Sequence, residues 1–438
     1  MTEKQLPVFW GCTISDRLPF LEKTTRLVLS ALGYDPVTPE GTTCCPDPVY
    51  GRALEEGPWL TLAARNLALC RQYGEELMVP CNGCLATFQQ AAGRLKDGNI
   101  RDKVNEQLKK VGIAYTSPPR IHHILSFLQK IGNEALKKQY TYKLGGIRVG
   151  VHYGCHILNA TQWAIDTPDN PTVFENILSA TGLEVVSYPD KHLCCGASAQ
   201  PFDAQGSLGL LREKIKGARK ASVDAFVLCC PLCFIQFDME SVKLERKNAI
   251  PVFYVTEILA LALGIPSEEL GFDWHATKPK ALLSEKLTLD LNPEHLEKDL
   301  DLERLKACCG ACTFECSAAL ASQDNDLSRF DPVALVNRVA AGDVASVLED
   351  PDIWRCLKCH KCAQVCPFGD GLAHFFEVLQ GMALRTGVRA EPIEQKLELI
   401  RTIGAGIPRN RAIRKEFGLP VTKAIDRDQL EKLLDTGG

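Results

Sequence analysis

The stretch His192-Leu193-Cys194-Cys195-Gly196 lies near the middle of the chain. Two adjacent cysteines before a glycine fit poorly in a regular strand, because neighbouring side chains of a strand point to opposite faces. Glycine also lets the backbone pass close to a bulky neighbour. The stretch therefore predicts a loop that presents two thiols together.

Further cysteines lie at fixed distances from this pair. Cys155 precedes it with 38 residues between, and the Cys-x2-Cys motif of Cys230 and Cys233 follows it. The same pattern occurs once upstream, as Cys12, then Cys44-Cys45, then Cys81-x2-Cys84. Two copies of a five-cysteine pattern indicate an internal duplication.

Composition limits the class of protein. The 438 residues are 45% hydrophobic and 24% charged, with a net charge of -4, so neither nucleic acid nor an anionic membrane is an expected partner. The sequence shows no apolar signal segment and no run of the roughly 18 to 20 apolar residues that a membrane span needs. We therefore expect a cytoplasmic chain whose 20 cysteines serve metal sites before disulfides.

Alternating strand and helix patterns predict two α/β domains, residues 1–143 and 147–265. In both, the cysteines fall at strand ends and in loops. Asp16 is expected to cap the first helix and Gly33 to end it. Prolines break residues 266–303 into a predicted linker or wrapping arm, and residues 304–438 are predicted to be entirely helical.

The helical part carries a second metal signature. Cys356-x2-Cys359-x2-Cys362-x3-Cys366-Pro367 has the spacing of a bacterial ferredoxin run for a [4Fe-4S] cluster, with a zinc site as the alternative. In two-cluster ferredoxins the fourth cysteine ligates the other cluster, which requires a second run.

The second run is irregular. Cys309, Cys312 and Cys316 keep its spacing, but Lys306 stands at its first position. Either Cys308 substitutes, or the cluster has three protein thiolates and is a [3Fe-4S] cluster. We assign Cys356, Cys359, Cys362 and Cys316 to one cluster. The other takes Cys309, Cys312 and Cys366 with Cys308.

The duplicated pattern resembles the CCG domain of the B subunit of heterodisulfide reductase, and the C-terminal part resembles that enzyme's helical C subunit. The resemblance covers nearly the whole chain, as a B–C fusion, and implies duplicated α/β CCG domains followed by an all-α ferredoxin domain.

It also implies two noncubane [4Fe-4S] clusters, each with five cysteines. The first takes Cys12, Cys44, Cys45, Cys81 and Cys84, and the second takes Cys155, Cys194, Cys195, Cys230 and Cys233. Pro46 stands where the second copy has Gly196, which departs from the pattern without removing a ligand.

Three histidines flank the second copy: His152, His156 and His192. They are weak candidates for donating protons to a leaving thiolate or hydrogen bonds to the cluster, beside a purely structural role. Cys70 and Cys229 fall outside the repeated pattern and are not expected to be ligands.

The sequence shows no nucleotide-binding motif, so electrons are expected from a partner. The resemblance implies a flavin-containing A-like subunit and a further electron-donor subunit. It implies reduction of a small-molecule disulfide, such as the mixed disulfide of coenzymes M and B. The alternative is an electron-relay subunit of a larger, electron-bifurcating complex without a disulfide substrate of its own.

Overall fold

The computed structural model describes residues 4–48, 55–158, 164–245, 248–292, 302–323, 330–367, 369, 371–385, 388, 390–403 and 415–416. The chain divides into two compact units, Met1–His295 and Leu296–Gly438. Both five-cysteine sets belong to the first unit and both ferredoxin-type runs to the second.

The described strands all belong to the first unit. They are β1 Lys4–Pro7, β2 Tyr34–Val37, β3 Glu76–Val79, β4 Arg120–His123, β5 Tyr142–Gly145, β6 Arg148–His152, β7 Glu184–Val185, β8 Ala225–Leu228, β9 Val252–Tyr254 and β10 Thr288–Leu291. Its described α-helices are α1 Pro19–Ala31, α2 Glu56–Arg71, α3 Asn82–Arg94, α4 Gly98–Lys109, α5 Ile124–Ile131, α6 Asn133–Lys137, α7 Cys155–Leu158, α8 Val173–Ser179, α9 Ala204–Lys220, α10 Pro231–Ile235, α11 Ser241–Leu244, α12 Val255–Ala262 and α13 Lys280–Lys286. Single 3₁₀ or π turns lie at Thr13–Arg17, Ala197–Ala199, Gln236–Glu240, Ser267–Glu269 and Phe272–Trp274.

The two repeats share one sheet topology. In the second repeat the four parallel strands stand in the order β7-β6-β8-β9. In the first, β1 pairs with β2 and β3 with β4, and a parallel bridge from Val8 to Met78 joins the two pairs in the matching order β2-β1-β3-β4. Because all these strands are parallel, their carboxyl ends meet at one edge, where the cysteine loops begin. The α/β prediction for the repeats is confirmed.

Helix ends follow recognisable local signals. α1 starts with Pro19 at its first turn and is followed by Gly33 at φ +83°, which confirms the predicted end. The predicted cap Asp16 is wrong, because it lies inside the π turn Thr13–Arg17, before the helix begins. Asp97 caps α4 by accepting from the amides of Asn99 and Ile100.

The repeats exchange helices. α12, from the end of the second repeat, packs on α1 of the first, and α5, from the end of the first, packs on α8 of the second. Within the first contact the hydroxyls of Thr25 and Thr256 lie 3.1 Å apart in a buried position. This reciprocal packing joins the repeats into one unit and brings their cysteine loops to a common place.

Residues 266–292, in the predicted linker, pack against the repeats. Leu270 and Phe272 are buried, and β10 pairs antiparallel with β5. His275, also buried, bonds to Glu257 at 2.8 Å. Over these residues the segment is therefore part of the first unit, while residues 293–301 lie outside the described part of the chain.

The described elements of the second unit are all helical. They are α14 Leu302–Lys306, α15 Ser317–Gln323, α16 Pro332–Ala340, α17 Val344–Glu349, α18 Lys361–Val365, α19 Ala373–Arg385 and α20 Glu391–Ile403, with 3₁₀ turns at Ala311–Glu315 and Pro351–Arg355. The turn Ala311–Glu315 packs on α18, so the two cysteine runs lie together.

Candidate metal centre

All ten cysteines of the duplicated pattern line one cavity. They divide into two sets, here called the first site and the second site, one from each repeat. The first site consists of Cys12, Cys44, Cys45, Cys81 and Cys84, and the second of Cys155, Cys194, Cys195, Cys230 and Cys233. The sequence spacing had predicted the sets, and the structure shows that both open into the same space.

Burial follows the same gradient in both sites. The cysteine after the first strand is exposed in each, as Cys12 and Cys155. The second cysteine of each pair and both members of each Cys-x2-Cys are buried: Cys45, Cys81 and Cys84 in the first site, Cys195, Cys230 and Cys233 in the second. Each site therefore has a closed, buried side and a side that faces the open part of the cavity.

The thiols within each site are close enough to act on one another. Cys12 and Cys44 lie 4.0 Å apart, and Cys195 and Cys233 3.4 Å apart, measured between Sγ atoms. Bonds from Cys44 and Cys84 hold the pKa of Cys45 well below its usual value, and the same contact with Cys45 raises the pKa of Cys84. Crowded soft donors of this kind suit a thiolate-ligated metal group, whose positive ions compensate several neighbouring thiolates.

The two sites meet at Cys81 and Cys230, the first members of the two Cys-x2-Cys motifs. Cys81 donates to Cys230, and this bond is the main cause that raises the pKa of Cys81. The Tyr254 hydroxyl lies 2.5 Å from the carbonyl oxygen of Pro80 and 3.2 Å from that of Cys229, the residues before these two cysteines. One side chain thus fixes the backbone of both sites.

Two glycines make room for the buried thiols. Gly11 and Gly154, each just before the first cysteine of its site, have φ of +68° and +79°. A Cβ at Gly11 would lie 2.7 Å from Cys84 Sγ, and one at Gly154 would lie 3.3 Å from Cys233 Sγ. The duplication therefore includes the glycine as well as the five cysteines.

The double-cysteine loops differ between the repeats. Gly196 has φ +85°, and a Cβ there would lie 2.8 Å from the Ser207 carbonyl oxygen. The glycine is thus required for close approach to helix α9, and its amide lies 3.4 Å from Cys194 Sγ. Proline fixes φ near -65°, so Pro46 prevents the first loop from copying this turn.

The three flanking histidines occupy different environments. His156 lines the cavity, His152 is buried beside Cys195 and Cys233, and His192 is exposed and does not line the cavity. Burial lowers the pKa of His152 to about 3, with the charge of Lys214 adding to the effect. Of the three histidines suggested by the sequence, the structure therefore places His152 and His156 at the second site.

Cys70 and Cys229 stay outside the cavity lining. Cys70 is buried in α2, where burial raises its pKa to about 12. Cys229 is buried and donates to the Tyr153 carbonyl oxygen at 3.3 Å. Both behave as structural thiols.

Sequence reasoning missed Tyr254, Asn82 and Lys214. The Asn82 amide, inside the first Cys-x2-Cys, donates to the Tyr153 carbonyl oxygen of the other repeat at 2.7 Å. Lys214 is fully buried, and burial lowers its pKa to about 8 against the opposing effect of the Cys195, Cys233 and Cys194 thiols. A sequence signal that could have identified Lys214 is its position among Leu211, Ile215 and Ala218, which form the buried face of α9.

In the second unit, one cavity is lined by five cysteines, Cys312, Cys316, Cys356, Cys359 and Cys362. Four of them are the set assigned from the sequence to one cluster. His360 also lines this cavity, and Lys358 and His360 have positive φ of 49° and 56° between the cysteines. Ser317 follows Cys316 at the position where the other run has Pro367 after Cys366, and its hydroxyl oxygen lies 3.9 Å from Cys359 Sγ.

Two of the remaining cysteines of the second unit, Cys308 and Cys366, lie near Cys312. Burial raises the pKa of Cys312 to about 12, and the thiols of Cys308, Cys362 and Cys366 add to this effect. Cys308 is partly buried whereas Cys309 is exposed. Cys308 thus lies close enough to Cys312 to act on it.

In the part of the chain that the structure describes, no helix combines the length and the apolar character that crossing a bilayer requires.

Comparison with known proteins gives consistent results. The family model for the CCG cysteine-rich domain matches residues 7–89 and 149–238. The B subunit of the ferredoxin/F(420)H(2)-dependent CoB-CoM heterodisulfide reductase of Methanosarcina acetivorans is 35% identical over 281 residues, which cover 62% of this chain and 93% of that protein. The C subunit of a ferredoxin:CoB-CoM heterodisulfide reductase of the same organism is 34% identical over 96 residues, 22% of this chain and 36% of that protein.

A relative with a different name is the membrane anchor subunit of 8-methylmenaquinol:fumarate reductase of Wolinella succinogenes. It is 29% identical over 276 residues, which cover 62% of this chain and 96% of that protein. Among solved structures, a hypothetical protein from Helicobacter pylori aligns with a TM-score of 0.50 at 18% identity, over 63% of this chain and 52% of that one. At this identity the likeness concerns the fold alone. The named relatives are subunits of oxidoreductases.

Proposed function

The chain belongs to the family of heterodisulfide reductase B subunits, and from this premise we propose that it is an iron–sulfur subunit of a disulfide-reducing complex. The single observation that carries the proposal is the common cavity, into which all ten repeated cysteines open. A disulfide has two sulfur atoms, and a cavity with one thiolate-rich site on each side suits a substrate of that form.

Each site would hold one noncubane [4Fe-4S] cluster. A closed cubane needs four thiolates, one for each iron, so five cysteines per site favour an opened cluster. The buried cysteines, such as Cys84 and Cys233, anchor the closed side of each site. The exposed cysteines Cys12 and Cys155 leave the other side open to the cavity. Such clusters would supply electrons one at a time. Their iron would have room to bind an incoming sulfur.

The residues of the chain orient the substrate and supply protons. Reduction of a disulfide consumes two electrons and two protons and yields two thiols. His156 lines the cavity next to Cys155 and is the candidate that faces the substrate. The cavity also presents polar groups of Thr13, Asp47 and Ser198. The two heterodisulfide reductase relatives are named for the disulfide of coenzymes B and M, and we propose this compound or a similar small disulfide here.

The second unit would deliver the electrons. Cys316, Cys356, Cys359 and Cys362 would hold one [4Fe-4S] cluster, and Cys312, Cys366 and Cys309 with Cys308 the other. The surroundings of Cys312 support the inclusion of Cys308. We propose that the donor is a flavin-containing heterodisulfide reductase A-like subunit, fed by a further electron-donor subunit in the cytoplasm.

A second candidate function is an electron relay without a disulfide substrate. The likeness to a fumarate reductase subunit favours it, because that relative covers the same 62% of this chain as the heterodisulfide reductase B subunit but is named for another reaction. In this case the cavity would transmit electrons to a partner.

One experiment separates the two functions. The anaerobically purified chain is reduced with dithionite and mixed with the CoM–CoB heterodisulfide or a simple disulfide, and released thiol is measured. Thiol release above that of the Cys195→Ala chain, which keeps all ferredoxin-type cysteines, supports disulfide reduction. A reducible chain that releases no more thiol than this control with any disulfide contradicts it and favours the relay.

A further inference from the structure

The two sites differ at one strand position that their registers make equivalent. Val8 bridges to Met78 in the first repeat, and Val151 pairs with Val227 in the second. The next residue is Phe9 in the first repeat and His152 in the second. Phe9 packs on Phe88 with ring centroids 4.7 Å apart, and His152 packs on Phe237 at 4.9 Å. The same packing place therefore holds a phenyl ring beside the first site and an imidazole beside the second.

His152 has unused hydrogen-bonding capacity. It is 2% exposed, and neither ring nitrogen has a hydrogen-bond partner among the described residues. A ring nitrogen of His152 and the sulfurs of Cys195 and Cys233 lie within 4.8 Å of one another. A neutral imidazole always carries one N–H, and a buried N–H without an acceptor is costly. The acceptors within reach are the sulfur atoms of Cys195 and Cys233 and the backbone carbonyl of Lys191, which also acts on the imidazole.

Lys214 adds a positive charge on the same side. Its ammonium donates to the carbonyl oxygens of Asp190 and Lys191 at 2.8 and 3.0 Å, so it is anchored by neutral groups. With a pKa of about 8 it is mainly protonated at neutral pH. In the first repeat the helix after the double cysteine places Asn66, a neutral residue, against the loop backbone at Thr43 and Cys44.

The positions of all the buried basic side chains support the same difference between the two sites. Among the described residues these are His123, His152, Lys214 and His275. His275 pairs with Glu257 away from both sites, and the thiol that acts on His123 is Cys230 of the second site. None of the four is associated with a thiol of the first site alone.

We propose that His152 and Lys214 make the second site the stronger electron acceptor of the two. The inference rests on the proposed function, because it requires a cluster at each site. Reduction adds negative charge to an iron–sulfur cluster, and hydrogen bonds to sulfur and a nearby cation stabilise the reduced form and raise its potential. At the first site the side-chain hydroxyls in hydrogen-bond contact with thiols are those of Thr13 and Thr87, which are neutral. None of the buried basic side chains among the described residues acts on a first-site thiol alone, so electrons that enter the cavity settle on the second site. Both side chains are positioning residues that act through the cluster.

The test is a redox titration of the whole chain, followed by electron paramagnetic resonance. His152→Phe copies the first repeat and is expected to shift the second-site midpoint potential downward while the first-site potential stays unchanged. Phe9→His is the reciprocal variant and is expected to raise the first-site potential. Equal potentials in the unchanged chain, or no shift in either variant, would overturn the proposal.

Lys214→Met tests the charge separately, with the exposed Lys216→Met on the same helix as control. The Lys214 variant is expected to lower the second-site potential and the control to leave it unchanged. If Lys214→Met fails to fold, the two aromatic exchanges still decide the outcome. Iron analysis distinguishes the two levels: a chain without iron at the ten cysteines contradicts the proposed function, whereas a loaded chain with unshifted potentials contradicts only this inference.

Discussion

The hydroxyl of Tyr254 lies 2.5 Å from the carbonyl oxygen of Pro80, although 174 positions separate the two residues. The same hydroxyl is 3.2 Å from the carbonyl oxygen of Cys229. Pro80 and Cys229 precede the two cysteines that meet across the repeats, Cys81 and Cys230. The spatial relation between the two sites is therefore held by a side chain that belongs to neither motif.

We expect Tyr254→Phe to destabilise the chain by about 1–3 kcal/mol, because the buried hydrogen bond that its hydroxyl shares between two carbonyl oxygens is lost. Denaturant unfolding measures this effect. Tyr188→Phe is the matched control, since its buried hydroxyl bonds to the Val151 carbonyl within one repeat at 3.0 Å. Both variants should lose stability, but only Tyr254→Phe should change the magnetic interaction between the two sites. Identical spectra in the two variants would refute the bridging role.

Gly11→Ala is expected to remove iron from the first site. The new Cβ would lie 2.7 Å from Cys84 Sγ, in addition to backbone strain of about 1–2 kcal/mol at positive φ. Gly33→Ala is the control, because Gly33 has φ +83° with nothing within 4 Å of the added Cβ. Iron analysis should show a loss in the first variant and none in the second. An equal iron content in both would mean that the thiol contact has no effect.

Cys195→Ala should disturb the second site and leave the ferredoxin-type signals intact, because Cys195 is a buried member of the second site alone. Cys229→Ala offers a close comparison, since Cys229 is equally buried but donates to a backbone carbonyl outside the cavity lining. Iron content and the spectrum of the reduced chain report the effect. The assignment fails if the Cys195 variant keeps full iron or if the Cys229 variant loses as much.

In the second unit, Cys308→Ala should convert the proposed irregular cluster toward a three-iron form, because Cys308 acts on Cys312 and is the fourth thiol in the proposed assignment. The three-iron signal in electron paramagnetic resonance measures the conversion. Cys70→Ala, at a buried structural thiol of the other unit, serves as the control. A spectrum unchanged by the Cys308 substitution would make Cys308 a bystander.

The sequence predicted the parts of the site better than their arrangement. The strands Glu76–Val79 and Ala225–Leu228 are short, mainly apolar runs that each end one residue before a Cys-x2-Cys motif, in agreement with the prediction that the cysteines fall at strand ends. The strand Tyr34–Val37 is hard to predict from the sequence because Pro36 weakens a strand pattern. It is accommodated at the edge of the sheet, where a missing amide costs little.

The common cavity could not be predicted from spacing. It depends on reciprocal helix packing between the repeats, as at Thr25 and Thr256, which lie 231 positions apart. Residue types alone also gave no reason to expect that the two repeats differ in the charge and hydrogen bonding around their cysteine sites. The contrast between Phe9 and His152 has meaning only after the strand registers align them.

The central claim is that the ten cavity cysteines hold two iron–sulfur clusters in addition to the two of the ferredoxin-type runs. Iron and zinc analysis of the anaerobically purified chain, together with its spectrum, tests this claim most directly. Four clusters of four irons predict about 16 iron atoms per chain, or about 15 if the irregular cluster has three. About eight iron atoms with only ordinary cubane signals, or zinc in place of iron, would contradict it.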